Sequence, residues 1–268
     1  MAVRVLRKCV LNGIIAKRCL IDKESAKTML KVENLKKSFG SFEAVKGISF
    51  SVAKGEVLGF LGPNGAGKST TMRMITGFLP PTSGTAVVCG HDIAADPVAA
   101  KQCIGYLPES APSYRAMTVT EFLSFIAEVR GYAGAKARAK VSEVIEKARL
   151  QSVATKTIET LSKGYRQRTC FAQAILHDPQ VLIMDEPTDG LDPNQKFTVR
   201  EMIKEMAAEK AIVISTHILE EVDAVCTRAV VIADGELKAD GTPAELKAMD
   251  ESGRLDVVFR NLTMKEVK

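Results

Sequence analysis

The sequence predicts an α/β fold built on a mostly parallel central sheet covered on both faces. Three observations carry that expectation. Short runs such as VLIMD (181–185) and AIVIST (211–216) are apolar or nearly so from end to end, as strands buried on two faces must be. Stretches with apolar residues at helical spacing separate them, and strand–helix alternation is the pattern of parallel sheets. The chain has 268 residues, 46% hydrophobic and 26% charged, enough to enclose such a core without disulfides or metals.

Residues 1–28 stand outside the pattern. Basic side chains interrupt the apolar ones, so the segment makes a poor secretory signal, which needs an unbroken apolar core. It reads as a basic surface-binding arm, as a transit-like peptide or, in the preferred reading, as sequence upstream of a true start at Met29 with little fixed structure. From Met29 the strands follow quickly: MLKVENLKKSF, GISFSV and EVLGFL, the last so apolar that it belongs at the centre of the sheet. A helix is expected from about Lys68, then a strand over TAVVCG. Two helices, broken near GYAGA, fit the apolar and charged alternation over 118–150. VLIMD and AIVIST are further strands, and RAVVIAD with GELKADG forms a strand pair. Helices are expected at about 194–208 and 218–225.

Charge narrows the partner classes. Residues 1–28 hold seven of the 37 basic side chains and two of the 32 acidic ones, so 30 of each remain and the body of the chain is neutral. The body shows no net basic excess, though a neutral total leaves room for a local patch, and no nucleic-acid partner is expected. Six cysteines, at 9, 19, 89, 103, 170 and 226, show neither C-x-x-C nor metal-ligand spacing, and only three histidines accompany them. They read as reduced thiols of a cytosolic protein. No apolar run approaches the roughly 18 residues of a membrane span, so any work at a membrane is done from its surface.

The chemistry concentrates in a few motifs. GPNGAGKST, comprising Gly62, Pro63, Asn64, Gly65, Ala66, Gly67, Lys68, Ser69 and Thr70, fits G-x-x-x-x-G-K-S/T directly after an apolar strand. Glycines there let backbone N–H groups surround phosphate oxygens at a helix N-terminus. Lys68 would reach the β- and γ-phosphates and the Ser69 hydroxyl would ligate Mg²⁺. VLIMDEPTDGLD ends a strand on Asp185 and Glu186, at the carboxyl edge where open α/β sheets bind ligands. Asp185 can hold Mg²⁺, and Glu186 is placed to orient or deprotonate an attacking water. AIVISTH puts His217 at the end of a strand beside the acidic one, in reach of a γ-phosphate.

The order of these motifs resembles the nucleotide-binding domains of ABC transporters over roughly residues 30–245. LSKGYRQR is similar to the family's signature, usually LSGGQ-x-R, and lies just before the acidic strand. The resemblance implies a P-loop NTPase fold with an N-terminal antiparallel β subdomain and a helical subdomain at about 110–165, inserted before the signature. Residues 1–28 are then a basic extension, 29–245 the ATP-binding domain and 246–268 a short C-terminal tail. ATP and Mg²⁺ are the implied cofactors. Ser162, Lys163, Gly164 and Tyr165 would act in trans, on ATP held by a second ATP-binding subunit, a copy or a close relative. Phe39 sits where the family places an aromatic ring against adenine. Glu109, in YLPES, stands where a glutamine usually ligates the metal and couples to the membrane subunit. Asp189 and Asp192 fall in the loop that communicates between subunits, Asp192 being the better match. His217 becomes the switch histidine, and Lys68, Glu186 and His217 the catalytic set.

Three departures accompany the match: Lys163 for the first signature glycine, Tyr165 for its glutamine, and Glu109 for glutamine. None removes a group that hydrolysis needs. Together the motifs resemble the branch serving multidrug, sodium-efflux and gliding-motility exporters. The implied protein is an ATPase that pairs around two ATP and drives a separate polytopic permease in export. Its implied place is cytoplasmic, peripheral on the inner face of the cell membrane. Tyr114, Met117 and Phe122 are candidate contacts to the permease, or ordinary helix core. A soluble ABC ATPase acting in assembly or translation is the alternative. A P-loop GTPase or kinase is set aside, because no N-K-x-D guanine reader is present.

Overall fold

The central sheet explains why its strands are apolar throughout. The computed structural model describes residues 28–110 and 112–264; the readings made for residues 1–27, Cys9 and Cys19 among them, lie outside these. Six strands form that sheet: β3 (Val57–Leu61), β6 (Ile104–Leu107), β7 (Val181–Asp185), β8 (Ala211–Thr216), β9 (Arg228–Ala233) and β10 (Glu236–Gly241). Their order is β10-β9-β3-β8-β7-β6, parallel except for β10 at one edge. Leu182 and Met184 point to one core, Ile183 and Val181 to the other; Ile212 and Ile214 oppose Ala211 and Val213 in the same way. Period-2 alternation between two buried faces demands apolar residues at every position.

One face is covered by helices. α3 (Val119–Val129), α4 (Gly134–Lys147), α5 (Lys163–Ile175), α6 (Pro193–Ala207) and α7 (Leu219–Val225) contribute Phe122, Val141, Phe171, Val199 and Val222 to that core. Thr118 starts α3 with a reciprocal capping box to Glu121. The other face meets α1 (Lys68–Ile75) and a four-stranded antiparallel sheet. That second sheet runs β2-β1-β4-β5 and consists of β1 (Thr28–Phe39), β2 (Phe42–Ala53), β4 (Ser83–Val88) and β5 (His91–Asp92). Leu30, Val45, Phe50 and Ala86 from these strands join Met72 and Met74 of α1.

Several elements differ from the sequence reading. β2 begins at Phe42, well before GISFSV, because it completes a hairpin in which Phe39 pairs with Phe42 across Gly40 and Ser41. β4 stops at Val88, and Cys89, with φ of 51°, turns the chain into β5. α2 (Pro97–Gln102), β5 and β6 were not read at all. Within the stretch taken as a tail, α9 (Leu255–Thr263) packs on β9 with Leu255 and Val258 buried, after the short α8 (Pro243–Lys247). Phe122 is only 1% exposed, so it is core and not a contact for a partner. Tyr114 is exposed and stacks edge-on against Phe125 at 5.4 Å. No helix among the described residues is long and apolar enough to cross a membrane.

Candidate nucleotide site

A cleft of about 580 Å³ opens at the carboxyl edge of the parallel strands, lined by Phe39, Asn64, Gly65, Gly67, Lys68, Ser69, Thr70, Glu109, Glu186, Asp189 and His217. Its floor is the loop between β3 and α1. Gly67 has φ of 104°, and a Cβ there would come within 2.6 Å of the Ala44 carbonyl oxygen. Only glycine fits that approach. Gly62 and Ala66 are buried behind the cleft and hold the loop in shape: the Gly62 N–H donates to the Thr216 carbonyl at 3.3 Å, and the Ala66 N–H to that of Pro63 at 3.2 Å. The loop opens α1 without a side-chain cap, so the first-turn N–H groups face a potential anion.

Lys68 is the buried cation of the site, 5% exposed. Its ammonium donates to the carbonyls of Gly62 at 2.8 Å and Pro63 at 3.2 Å, and lies 3.6 Å from Glu186 Oε1. Burial pulls its pKa below the ordinary lysine value; the carboxylates of Glu186, Asp185 and Glu109 oppose that pull. Glu186 follows β7 with φ of 50°. Its N–H donates to both the carbonyl and the hydroxyl of Ser215, at 3.1 and 3.2 Å. Its second oxygen is 2.8 Å from His217 Nδ1. One carboxylate therefore bridges the loop lysine and the histidine at the end of β8. Asp189 closes the group, with ligand atoms of Glu186, Asp189 and His217 within 4.8 Å of one another.

The expected metal residues occupy two depths. Ser69 and Glu109 line the cleft, whereas Asp185 is 1% exposed and accepts the Ser215 hydroxyl behind it. A hydroxyl and two carboxylates form an all-oxygen donor set, which suits a hard cation such as Mg²⁺. Phe39 stands at the mouth, half-exposed, with the Lys37 ammonium 5.2 Å from its ring centroid. Phe42 lines the same wall and was missed, because the sequence reading began β2 beyond it.

The signature-like segment does not line this cleft. Ser162 is the N-cap of α5, accepting the Tyr165 N–H at 3.4 Å. A Cβ on Gly164 would lie 2.7 Å from the Gln195 side chain, so the glycine lets α5 approach α6. Tyr165 turns back along its own helix, its ring stacked with the Arg168 guanidinium at 4.3 Å. Lys163 reaches Asp189 Oδ2 at 3.3 Å, linking this segment to the cleft wall. Asp192 takes a local task, capping α6 through the N–H groups of Asn194 and Gln195. Asp189, and not Asp192, faces the cleft.

Residues 45–189 match the family model described as ABC transporter. The chain belongs to the ABC transporter family. It is an ATPase of that family, with the P-loop NTPase fold. The linearmycin resistance ATP-binding protein LnrL of Bacillus subtilis (strain 168) is 42% identical over 219 residues, 81% of this chain and 70% of that protein. Nod factor export ATP-binding protein I of Paraburkholderia xenovorans (strain LB400) is 40% identical over 222 residues, 82% and 73% of the two chains. A solved ATP-binding subunit of an ABC transporter superposes with a TM-score of 0.79 at 30% identity, covering 88% of this chain and 100% of the other. The cleft of this ABC ATPase brings together a glycine-rich loop, a buried lysine and a carboxylate beside a histidine.

Proposed function

We propose that this chain is the ATP-hydrolysing half of an exporter, pairing with a second ATP-binding subunit around two ATP and driving a separate membrane permease. The reading rests chiefly on the Glu186 carboxylate, held between His217 Nδ1 and Lys68 Nζ at 2.8 and 3.6 Å on the cleft wall. ATP enters with its base on the Phe39 ring and its phosphates on the N–H groups of Gly65, Gly67, Lys68, Ser69 and Thr70. The γ-phosphate draws the Lys68 ammonium toward itself, and Glu186 is left to accept a proton from the attacking water. His217 steadies the γ-phosphate. Mg²⁺, held by Ser69, Glu109 and Asp185, would neutralise charge on the phosphate oxygens when bound.

Support for action in trans comes from the position of α5. Its N-terminus, with Ser162, Lys163, Gly164 and Tyr165, lies off the chain's own cleft, so that its first-turn N–H groups would be presented to a second subunit's phosphate. ATP that binds both halves favours the closed pair, and its hydrolysis reopens it. Export is inferred from a relative named for Nod factor export, and peripheral placement on the cytoplasmic face of the membrane is proposed with it, as the side on which ATP is supplied. The test is recovery of tagged Glu186→Gln protein from native membranes in ATP, with partners identified by mass spectrometry. A co-purifying polytopic membrane protein is the expected result. Recovery only from the soluble fraction, with ribosomal or assembly proteins, would replace the exporter with a soluble ATPase.

A further inference from the structure

His217 lies between two hydrogen-bonded residues that the catalytic reading leaves without a task. Thr216 ends β8, and its hydroxyl donates to Glu221 Oε2 at 2.6 Å while accepting the Ile218 N–H at 3.0 Å. Ile218 is the N-cap of α7 and offers no side-chain cap. Glu221 stands at the third helical position, where a glutamate normally reaches back to the N-cap N–H itself. Here the Thr216 hydroxyl is interposed between the two. The result is a relayed capping box whose links close on either side of His217. The Thr216 carbonyl also accepts the Gly62 N–H at 3.3 Å, so the same residue is anchored to the phosphate loop.

Glu221 is a costly group to use in this way. It is 2% exposed, and its Oε1 has no hydrogen-bond partner among the described residues. Burial raises its pKa, opposed by the Thr216 hydroxyl and by the charges of Arg200, Lys196 and His217. Arg200 comes from α6, the helix that follows the Asp189 loop, and its Nε and Nη2 make no hydrogen bond among the described residues. A seven-residue helix needs no buried carboxylate to start it, since Ser or Asp at the N-cap would serve. What Glu221 adds is a fixed direction for the Thr216 hydroxyl, and through it a fixed peptide on the far side of His217.

We propose that Glu221 is a positioning residue for ATP hydrolysis, holding Thr216 and Ile218 so that His217 meets Glu186 and the γ-phosphate. The proposal rests on the role given above to His217, and the test separates the two. Thr216→Val keeps the shape and removes the hydroxyl. Its kcat for ATP should fall about 10- to 100-fold, the size expected of a misplaced catalytic group. KM for ATP should stay within about twofold, because the ground-state contacts remain. Thr216→Ser, which restores the hydroxyl, should recover most of the loss.

The decisive comparison is made in a His217→Ala background. There Thr216→Val should lower the residual turnover no further, because the side chain it positions is gone. Glu221→Met removes the acceptor while leaving Thr216 intact and should behave identically; whichever variant keeps a cooperative thermal transition carries the test. An equal loss with and without His217, a rise in KM matching the fall in kcat, or unchanged kcat in the folded variant would overturn the positioning role. Normal turnover by His217→Ala alone would overturn both it and the role of His217. Normal turnover by Thr216→Val beside an impaired His217→Ala would overturn the positioning role only.

Discussion

Glu186 holds an unusual backbone conformation for its type, with φ of 50°. Left-handed geometry at a non-glycine residue costs about 1 kcal/mol or more and persists where surrounding contacts enforce it. Here the enforcement comes from Ser215, which receives the Glu186 N–H on both of its oxygens. Glu186→Gln keeps size and backbone and removes the proton acceptor. Turnover should fall about 100-fold or more, while equilibrium ATP binding stays near wild type. A phosphate-release assay beside a nucleotide-binding titration reads both, and near-normal turnover would remove Glu186 from its role. The primary residues were legible because each ends an apolar strand or follows a glycine loop. Ser215, Thr216 and Glu221 were not, since a hydroxyl or an acid in a strand or helix carries no sign of what it will touch. Phe42 was hidden by a misplaced strand start.

At the level of elements, the strands buried on both faces were read well, while the shortest elements were missed. VLIMD and AIVIST match β7 and β8 residue for residue, because burial on two faces leaves an unmistakable pattern. β5 has two residues and β6 four, too few for any period to show. β6 is held at its start by His177, whose Nε2 meets the Ile104 carbonyl at 2.9 Å, tying the edge strand to the end of α5. Burial, with Arg130 nearby, lowers the His177 pKa from 6.5 to about 4. The folded protein therefore keeps this ring neutral where the unfolded chain takes a proton. Its contribution to stability is full above about pH 6.5 and is lost progressively as pH falls toward 4. His177→Gln keeps an N–H donor and does not titrate. The melting temperature of wild type relative to this variant should drop between pH 6.5 and 4 and hold steady above 7. Parallel curves across that range would show that His177 is not buried neutral.

For the whole molecule, the decisive arrangement is the separation between the cleft and the α5 N-terminus. The cleft holds Lys68, Glu186 and His217, while Ser162 caps a helix that lies off it. On the proposed reading each subunit carries half of two sites, and a single chain is incomplete. The sequence could supply the motifs and, through the family resemblance, the expectation that they pair in trans. It could not show that Gly164 makes room for Gln195, or that α9 packs on β9. Those depend on contacts between residues remote in sequence. The most direct measurement is light scattering of the Glu186→Gln protein with ATP, alone and with Ser162→Arg added. The mass of a pair in Glu186→Gln and of a single chain in the double variant, with ATP still bound by both, is the predicted result. A single chain in both, or a pair that forms regardless of Ser162→Arg, would contradict assembly of each site from two subunits.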